Sequence, residues 1–317
     1  MSKRWFAIES TADGAVAHDP CSGLTHRLQI DEGVRGRLCL DDRRIIELPL
    51  ADVTELRRNV PVSICWSPIV TCNLHCPHCL DDKTLHEGDF ALRSRVARIL
   101  GETGVMGIDI SGGEPLLIPE LPRLIAHLVR SGIVMSVTTN GWALQSRARE
   151  LVRIVDAIRV SLDGSDAASH DRWRGPGSFV RAIAGMRAAI NLGIPIQIQT
   201  VAMRSTIGAL QAIVDVAASE GAQGVTILQM LPIGDGVALA ASELIPDDDA
   251  EDAVARLTIP SRLSIRLRRR KSASGFVVVR ADGSIWRNEP GALSISCKAL
   301  LSRPHDLSLG LVPDGSA

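Results

Sequence analysis

From residue 61 to about 230 the chain alternates two apolar spacings, and this alternation restricts the fold more than any single motif. Val62-Ser63-Ile64-Cys65-Trp66 alternates residue by residue, as a strand does. The stretch 90–100 then places its apolar residues at helical spacing. The same pair of patterns recurs as strand 105–110 and helix 121–129, strand 133–138 and helix 144–154, and strand 157–162 and helix 179–191. Strand 194–202, helix 207–218 and a sixth strand at 224–230 complete the series. Strands alternating with helices of this length predict an α/β chain of parallel units joined by right-handed crossovers. Six units are too few to close an eight-stranded barrel. In barrel-like folds function collects at the carboxyl ends of the strands, and the polar motifs of this chain fall there.

The first strand runs into Cys72-Asn73-Leu74-His75-Cys76-Pro77-His78-Cys79. Three thiolates at C-x3-C-x2-C spacing can converge on one face of a loop, as iron–sulfur and zinc sites require. A closed structural site takes four ligands, and the next cysteine is Cys297. A four-iron cluster on three cysteines leaves one iron for a small molecule.

After the second strand comes Ser111-Gly112-Gly113-Glu114-Pro115. Its glycines allow close backbone approach, and Glu114 can accept from an ammonium group. A Gly-Gly turn followed by the start of a helix would look the same. Thr138-Thr139-Asn140-Gly141 follows the third strand and has the residues of a tight turn. The fourth strand ends in Ser161-Leu162-Asp163-Gly164; beyond it lie His170-Asp171 and Arg174-Gly175-Pro176-Gly177-Ser178-Phe179. Ser178 reads as a helix N-cap, and His170 and Asp171 as a solvated loop. Gln197 and Gln199 share a face of the fifth strand, with Gln199 nearer its carboxyl end.

In this order the motifs resemble the radical S-adenosylmethionine (radical SAM) superfamily, and within it the members that mature peptides and proteins. The resemblance implies a partial (β/α)6 barrel. It implies a [4Fe-4S] cluster on Cys72, Cys76 and Cys79, and S-adenosylmethionine on the open iron. One electron then releases methionine and a 5′-deoxyadenosyl radical. By the same resemblance Gly112, Gly113, Glu114 and Pro115 meet the amino group of the cofactor. Arg174 meets its carboxylate. Ser161 and Asp163 lie near the ribose or the substrate, and Asn140 is a further contact; Gln199 is a cofactor candidate from its place on the barrel interior, where two Gln on one face are unusual. His78 takes the place of an aromatic residue whose backbone meets the adenine. A flavodoxin- or ferredoxin-type reductant is implied. The substrate is a peptide, with a carbohydrate or aminoglycoside natural product as the alternative. A non-catalytic zinc or iron–sulfur protein is the competing class that three cysteines alone would allow.

The flanks are read as a strand-rich appendage, 1–60, before the barrel of 61–240, and an extension, 241–317, after it. The appendage carries alternating segments and the turn signals Asp13-Gly14 and Glu32-Gly33. In the extension, acidic residues at 247–252 suit a helix start. The basic run 266–271 reads as a solvated strand or loop, less often as a docking site. The stretch 276–286 reads as a hairpin with an Asp-Gly turn. That hairpin resembles the start of a cysteine-rich SPASM or twitch extension, but Trp286-Arg287-Asn288 stands where a cysteine is usual, so no auxiliary cluster is expected. Cys297 is either a buried residue of a helix at 297–301 or a hydrogen-atom donor for epimerisation. Cys65 is expected in the core. A net charge of −1 predicts no nucleic-acid or membrane affinity, and the first residues lack a signal-like apolar run, which fits a cytoplasmic enzyme.

Overall fold

Two sheets organise the computed structural model, which describes residues 3–11, 14–28, 35–41, 45, 47–52, 56, 58–271, 277–287 and 297–308, the last segment by backbone alone at 297 and 298. The smaller sheet is antiparallel. It comprises β1 (Lys3–Thr11), β2 (Gly14–His18), β3 (Thr25–Leu28) and β4 (Arg35–Asp41), in the order β3-β2-β1-β4. The turn residues Asp13, Glu32 and Gly33 lie outside the described residues.

The larger sheet begins with β5 (Ser63–Trp66), which leads through the cysteine loop to α1 (Phe90–Gly101). Next come β6 (Gly107–Ile110) and α2 (Leu121–Arg130), then β7 (Val134–Thr139) and α3 (Leu144–Leu151). β8 (Ala157–Ser161) is followed by two helices, α4 (Ala167–Arg174) and α5 (Ser178–Asn191). β9 (Ile196–Ala202), α6 (Leu210–Glu220) and β10 (Gly224–Gln229) end the regular series. After them stand α7 (Ala240–Glu243) and α8 (Asp247–Ala255), then β11 (Ser264–Arg268), β12 (Val277–Val279), β13 (Ser284–Arg287) and β14 (Cys297–Leu300). The strand order is β11-β10-β9-β8-β7-β6-β5-β12-β13-β14. The pairs from β11 across to β12 are parallel, and the last two are antiparallel.

The period-2 alternation explains why this sheet wraps around a polar lumen. Ile64 and Trp66, Ile108 and Ile110, Met135 and Val137, Ile158 and Val160, Ile196 and Ile198, and Val225 and Ile227 belong to one buried core shared with the helices. Each such side chain taken from water contributes about 1.5–3 kcal/mol. The intervening residues face the other way. Ser63, Cys65, Asp109, Ser136, Thr138, Arg159, Gln199 and Thr226 line a cavity of about 780 Å³. The helices carry the complementary stripe: Val96, Ala97, Ile99 and Leu100 are the buried face of α1, and the Asp89 carboxylate caps that helix by accepting from the Leu92 amide.

The six predicted strands and their helices are present, as a partial (β/α)6 barrel. Two further parallel strands extend the sheet. The basic run is one of them: β11 pairs with β10 along Val225↔Ile265 and Ile227↔Leu267. Ile265 and Leu267 pack on the core, while Arg266 and Arg268 line the lumen. Cations that alternate with apolar residues make a half-buried strand, so the reading of 266–271 as a solvated stretch is corrected for Arg266 and Arg268, while Arg269 and Lys271 are exposed. The other is β12, which joins β5 through Val278↔Cys65. The Asp-Gly hairpin is present between β12 and β13, with Gly283 at φ 83°; Phe276 lies outside the described residues. The helix expected at 297–301 is a strand instead, with Cys297 opposite Trp286; the Cys297 side chain lies outside the described residues. Antiparallel pairing with β13 satisfies backbone groups that a one-turn helix would leave open.

The small sheet closes the amino end of the lumen. Ala7 and Val16 pack against Val62, Met106 and Val134. The loop from Asp19 to Leu24 reaches inside, where Arg159 donates to the carbonyls of Pro20 (2.7 Å) and Cys21 (3.2 Å). Asp19 shapes that loop: its carboxylate accepts from Arg4 (2.9 Å), the Cys21 amide and the Ser22 hydroxyl (2.7 Å).

Candidate active site

The cysteine loop lies at the carboxyl end of β5, where its neighbours hold it. The Gly113 and Glu114 amides donate to the carbonyls of Ile69 (2.8 Å) and Thr71 (3.0 Å), just before Cys72. The backbones come so close that a β-carbon on Gly112 would stand 2.4 Å from the Ile69 carbonyl, and one on Gly113 2.2 Å from that of Thr71. Gly112 also has φ 118°, so both positions require glycine. On the far side, the Asp235 amide donates to the Cys79 carbonyl (2.9 Å), and Arg280 forms a buried ion pair with Asp81. β12 and the loop after β10 therefore help to fix the cysteines.

Glu114 is fully buried and ties three loops together. Its carboxylate accepts from the Leu116 amide (3.0 Å), the Thr139 hydroxyl (2.7 Å) and the Asn140 amide (2.8 Å). Burial pushes its pKa up, opposed by these hydrogen bonds. Pro115 opens the short 3-10 turn that Glu114 caps. The Asn140 side chain donates to Asn73 (2.9 Å) and faces the Cys72 sulfur at 3.8 Å. Asn140 and Glu114 thus converge on the first cysteine.

A second cluster stands beside the other two cysteines. Asp163 is buried; it forms an ion pair with Arg174 (2.6 Å), stands 3.1 Å from His78 Nε2 and accepts from the Val201 amide (2.8 Å). Burial alone would raise its pKa, but Arg174 and then His78 outweigh it and hold the group well below the usual carboxylate range. His78 also meets the Trp173 ring edge-on, with centroids 5.9 Å apart. Ser161 is buried at the end of β8, and Gln199 lines the cavity.

His170 and Asp171 lie in α4, not in a solvated loop. The Asp163 amide donates to His170 Nδ1 (3.1 Å), and burial followed by the nearby Arg174 lowers this histidine's pKa to about 4. It is a neutral acceptor that orients the Asp163 turn. The Asp171 carboxylate accepts from the amides of Gly177 (2.6 Å) and Phe179 (2.8 Å) and from the Ser178 hydroxyl (3.0 Å). Asp171 is therefore the group that caps α5. Gly177 occupies the N-cap position expected for Ser178, which is the first helical residue. Cys65, expected in the core, is buried but also lines the cavity, its sulfur 2.8 Å from the Ser111 hydroxyl. A polar neighbour two residues before Gly113 was the available signal.

The residues fit an iron–sulfur cluster and a zwitterionic ligand. Burial raises all three thiols, Cys72 to about 11, with Cys76 adding to the rise at Cys72 and Cys79. Such desolvated sulfurs stay protonated until iron replaces the proton. Arg174 lowers Cys76 and is itself held charged by Asp163 against the effect of burial. His78 Nδ1 is buried without a partner among the described residues.

Comparison with known proteins agrees with this geometry. Residues 66–217 match the Radical SAM superfamily. The chain is 30% identical over 219 residues to a PqqA peptide cyclase of Streptomyces rochei, which covers 67% of this chain and 58% of that protein. It is 30% identical over 185 residues to an AdoMet-dependent heme synthase of Methanosarcina barkeri, 56% of this chain and 53% of the relative. A probable GTP 3′,8-cyclase of Methanococcus maripaludis is 32% identical over 169 residues, 51% of this chain and 57% of the relative. The chain thus spans little more than half the length of these relatives. Among solved structures, Streptococcus suis SuiB bound to S-adenosylmethionine superposes with a TM-score of 0.62 at 13% identity, over 88% of this chain and 80% of that one. Native anSMEcpe with bound AdoMet gives 0.53 at 18% identity, over 71% and 74%. The fold is shared, and residues 66–217 belong to the radical SAM superfamily, whose cofactors are a [4Fe-4S] cluster and S-adenosylmethionine.

Proposed function

We propose that this chain is a radical SAM enzyme that abstracts hydrogen from a peptide substrate held in the lumen. The observation that carries the reading is that the cysteine loop opens on a cavity of about 780 Å³, which His78 and Cys79 line together with the inward side chains of the strands. Cys72, Cys76 and Cys79 would hold the cluster. Arg174 would meet the cofactor carboxylate, Glu114 and Asn140 would hold the loop below its amino group, and His78, Ser161, Asp163 and Gln199 would line its far end. When bound, the cluster and S-adenosylmethionine supply a carbon radical by one-electron reduction. The chain's own contribution is to order the loop and shield the lumen. Arg174 and His78 hold Asp163 in place together with the Val201 amide, which restricts the motion of this cluster. The apolar shell of Trp173, Met203 and Met230 excludes water behind it.

The peptide reading draws on the PqqA peptide cyclase among the relatives and on the SuiB fold, which has been solved with its precursor peptide SuiA. Epimerisation is the reaction proposed first, with Cys297 as the donor that returns hydrogen. A carbohydrate or aminoglycoside substrate is the second reading, because the lumen is lined by hydroxyl and amide groups as well as by charge. A flavodoxin- or ferredoxin-type protein would supply the electron. The test is anaerobic reconstitution. About four irons per chain, with 5′-deoxyadenosine released on reduction, support the enzyme; one bound zinc and no 5′-deoxyadenosine overturn it. Candidate peptides treated in deuterated water should gain one deuterium at one carbon, and Cys297→Ala should stop that gain while 5′-deoxyadenosine still forms.

A further inference from the structure

We propose that the lumen binds an anionic group of the substrate, a carboxylate or a phosphate, at a cationic wall formed by Arg266 with Arg159 and Arg268. The proposal rests on the lumen being the substrate site and adds the chemistry of what enters it. Five arginines line the cavity, Arg159, Arg266, Arg268, Arg269 and Arg280, against the carboxylates of Asp81 and Asp109. Both carboxylates are already engaged. Asp81 pairs with Arg280, and Asp109 pairs with Arg159 (2.6 Å) while accepting from Ser136 (2.7 Å) and Thr138 (2.8 Å). Arg269 pairs outside the lumen with Glu251 (2.5 Å).

Arg266 differs from these. Its guanidinium donates to the Ser22 carbonyl (2.6 Å), and no carboxylate among the described residues stands at ion-pair distance from it. A carbonyl satisfies one N–H and neutralises no charge. Burial, followed by repulsion from Arg268 and Arg159, brings Arg266 down to about 9. Arg266 and Arg268 therefore stand as part-buried cations on the cavity wall near Arg159, with Asp19 opposing their repulsion only in part. An anion placed among them removes that repulsion and meets planar donors suited to two parallel hydrogen bonds. The register puts further polar groups level with it: Arg266 lies opposite Thr226, and Thr226 opposite Gln199. The competing explanation is that Arg266 only clamps the loop of Pro20–Gly23. A clamp would not respond to added anions.

The test is calorimetric titration of the purified full chain with inorganic diphosphate, with glutarate and with the uncharged glutaramide. At least one anion should bind, glutaramide should not, and the affinity should fall as salt rises. Which anion binds identifies the phosphate or the carboxylate source. Arg266→Gln should weaken that anion about tenfold or more, and Arg266→Lys should keep most of the binding. If Arg266→Gln fails to fold by circular dichroism, Arg268→Gln carries the same expectation. Binding of neither anion, or equal binding by the folded Gln variant, overturns the proposal. S-adenosylmethionine is absent from these titrations, so their failure leaves the radical chemistry standing, and a failure of S-adenosylmethionine cleavage leaves the anion result standing.

Discussion

Asp163 at the mouth of the lumen and Arg266 on its wall are both charged side chains drawn away from water, and the chain surrounds them differently. Asp163 meets the Arg174 guanidinium, the His78 ring, a backbone amide and the Thr200 hydroxyl. Arg266 meets a single carbonyl and two like charges. The charge at the mouth is matched by the chain's own groups. The wall keeps an excess of positive charge, which an incoming group can use. A site that must aim a reactive centre gains from the first arrangement, and one that must attract a substrate gains from the second.

The largest effect expected at the mouth comes from Cys76→Ala, which should reduce both bound iron and 5′-deoxyadenosine to background in anaerobic assays. Asp163→Asn comes next. Removing one partner from a buried pair leaves Arg174 uncompensated and should cost about 3–5 kcal/mol, read by urea unfolding. The sign of its pH dependence follows from a folded pKa held below the unfolded value. The contribution is present above about pH 4 and is lost as pH falls below that, so the Asn variant should lack this acid loss.

At the amino end of the lumen, His18 offers an intermediate effect. Burial lowers its pKa to about 3, with Arg159, Arg266 and Arg58 adding to the shift and Asp19 opposing it. The unfolded chain therefore binds a proton that the native state refuses, and stability should decline as pH falls from about 6.5 to about 3. Thermal melts across that window should be flatter for His18→Asn. A melt of His18→Asn as steep as that of the wild type would show that the acid loss does not come from burying a neutral His18. The smallest effect is expected from Asp171→Ala, which uncaps α5 and should lower stability by about 1 kcal/mol, with the arrangement around Asp163 preserved.

The repeating units were legible because apolar alternation marks strand faces and its relaxation to helical spacing marks the crossovers. The cysteine loop and its companion motifs were legible because their residue types and order are specific. Three features were not. The run from Arg266 reads as solvated, since two cations alternating with apolar residues look alike on a surface strand and on a lumen strand; only the partners of Ile265 and Leu267 tell them apart. His170 and Asp171 were read as loop because their function is to hold Asp163 and the start of α5, contacts that join segments out of sequence. The backbone of Cys297 was assigned to a helix because a short apolar run carries no period long enough to decide, and its partner Trp286 lies across a turn.

The pairing of Val278 with Cys65 has a consequence for biogenesis. The strand that leads into the metal-binding loop receives its neighbour on that side from a segment synthesised long after the rest of the barrel. Until then its edge offers unpaired amides and carbonyls to any passing chain, and the cysteines beyond it lack the Arg280–Asp81 brace. Cluster insertion would accordingly follow completion of the polypeptide, and a ribosome-stalled fragment ending before β12 should capture iron poorly and aggregate readily.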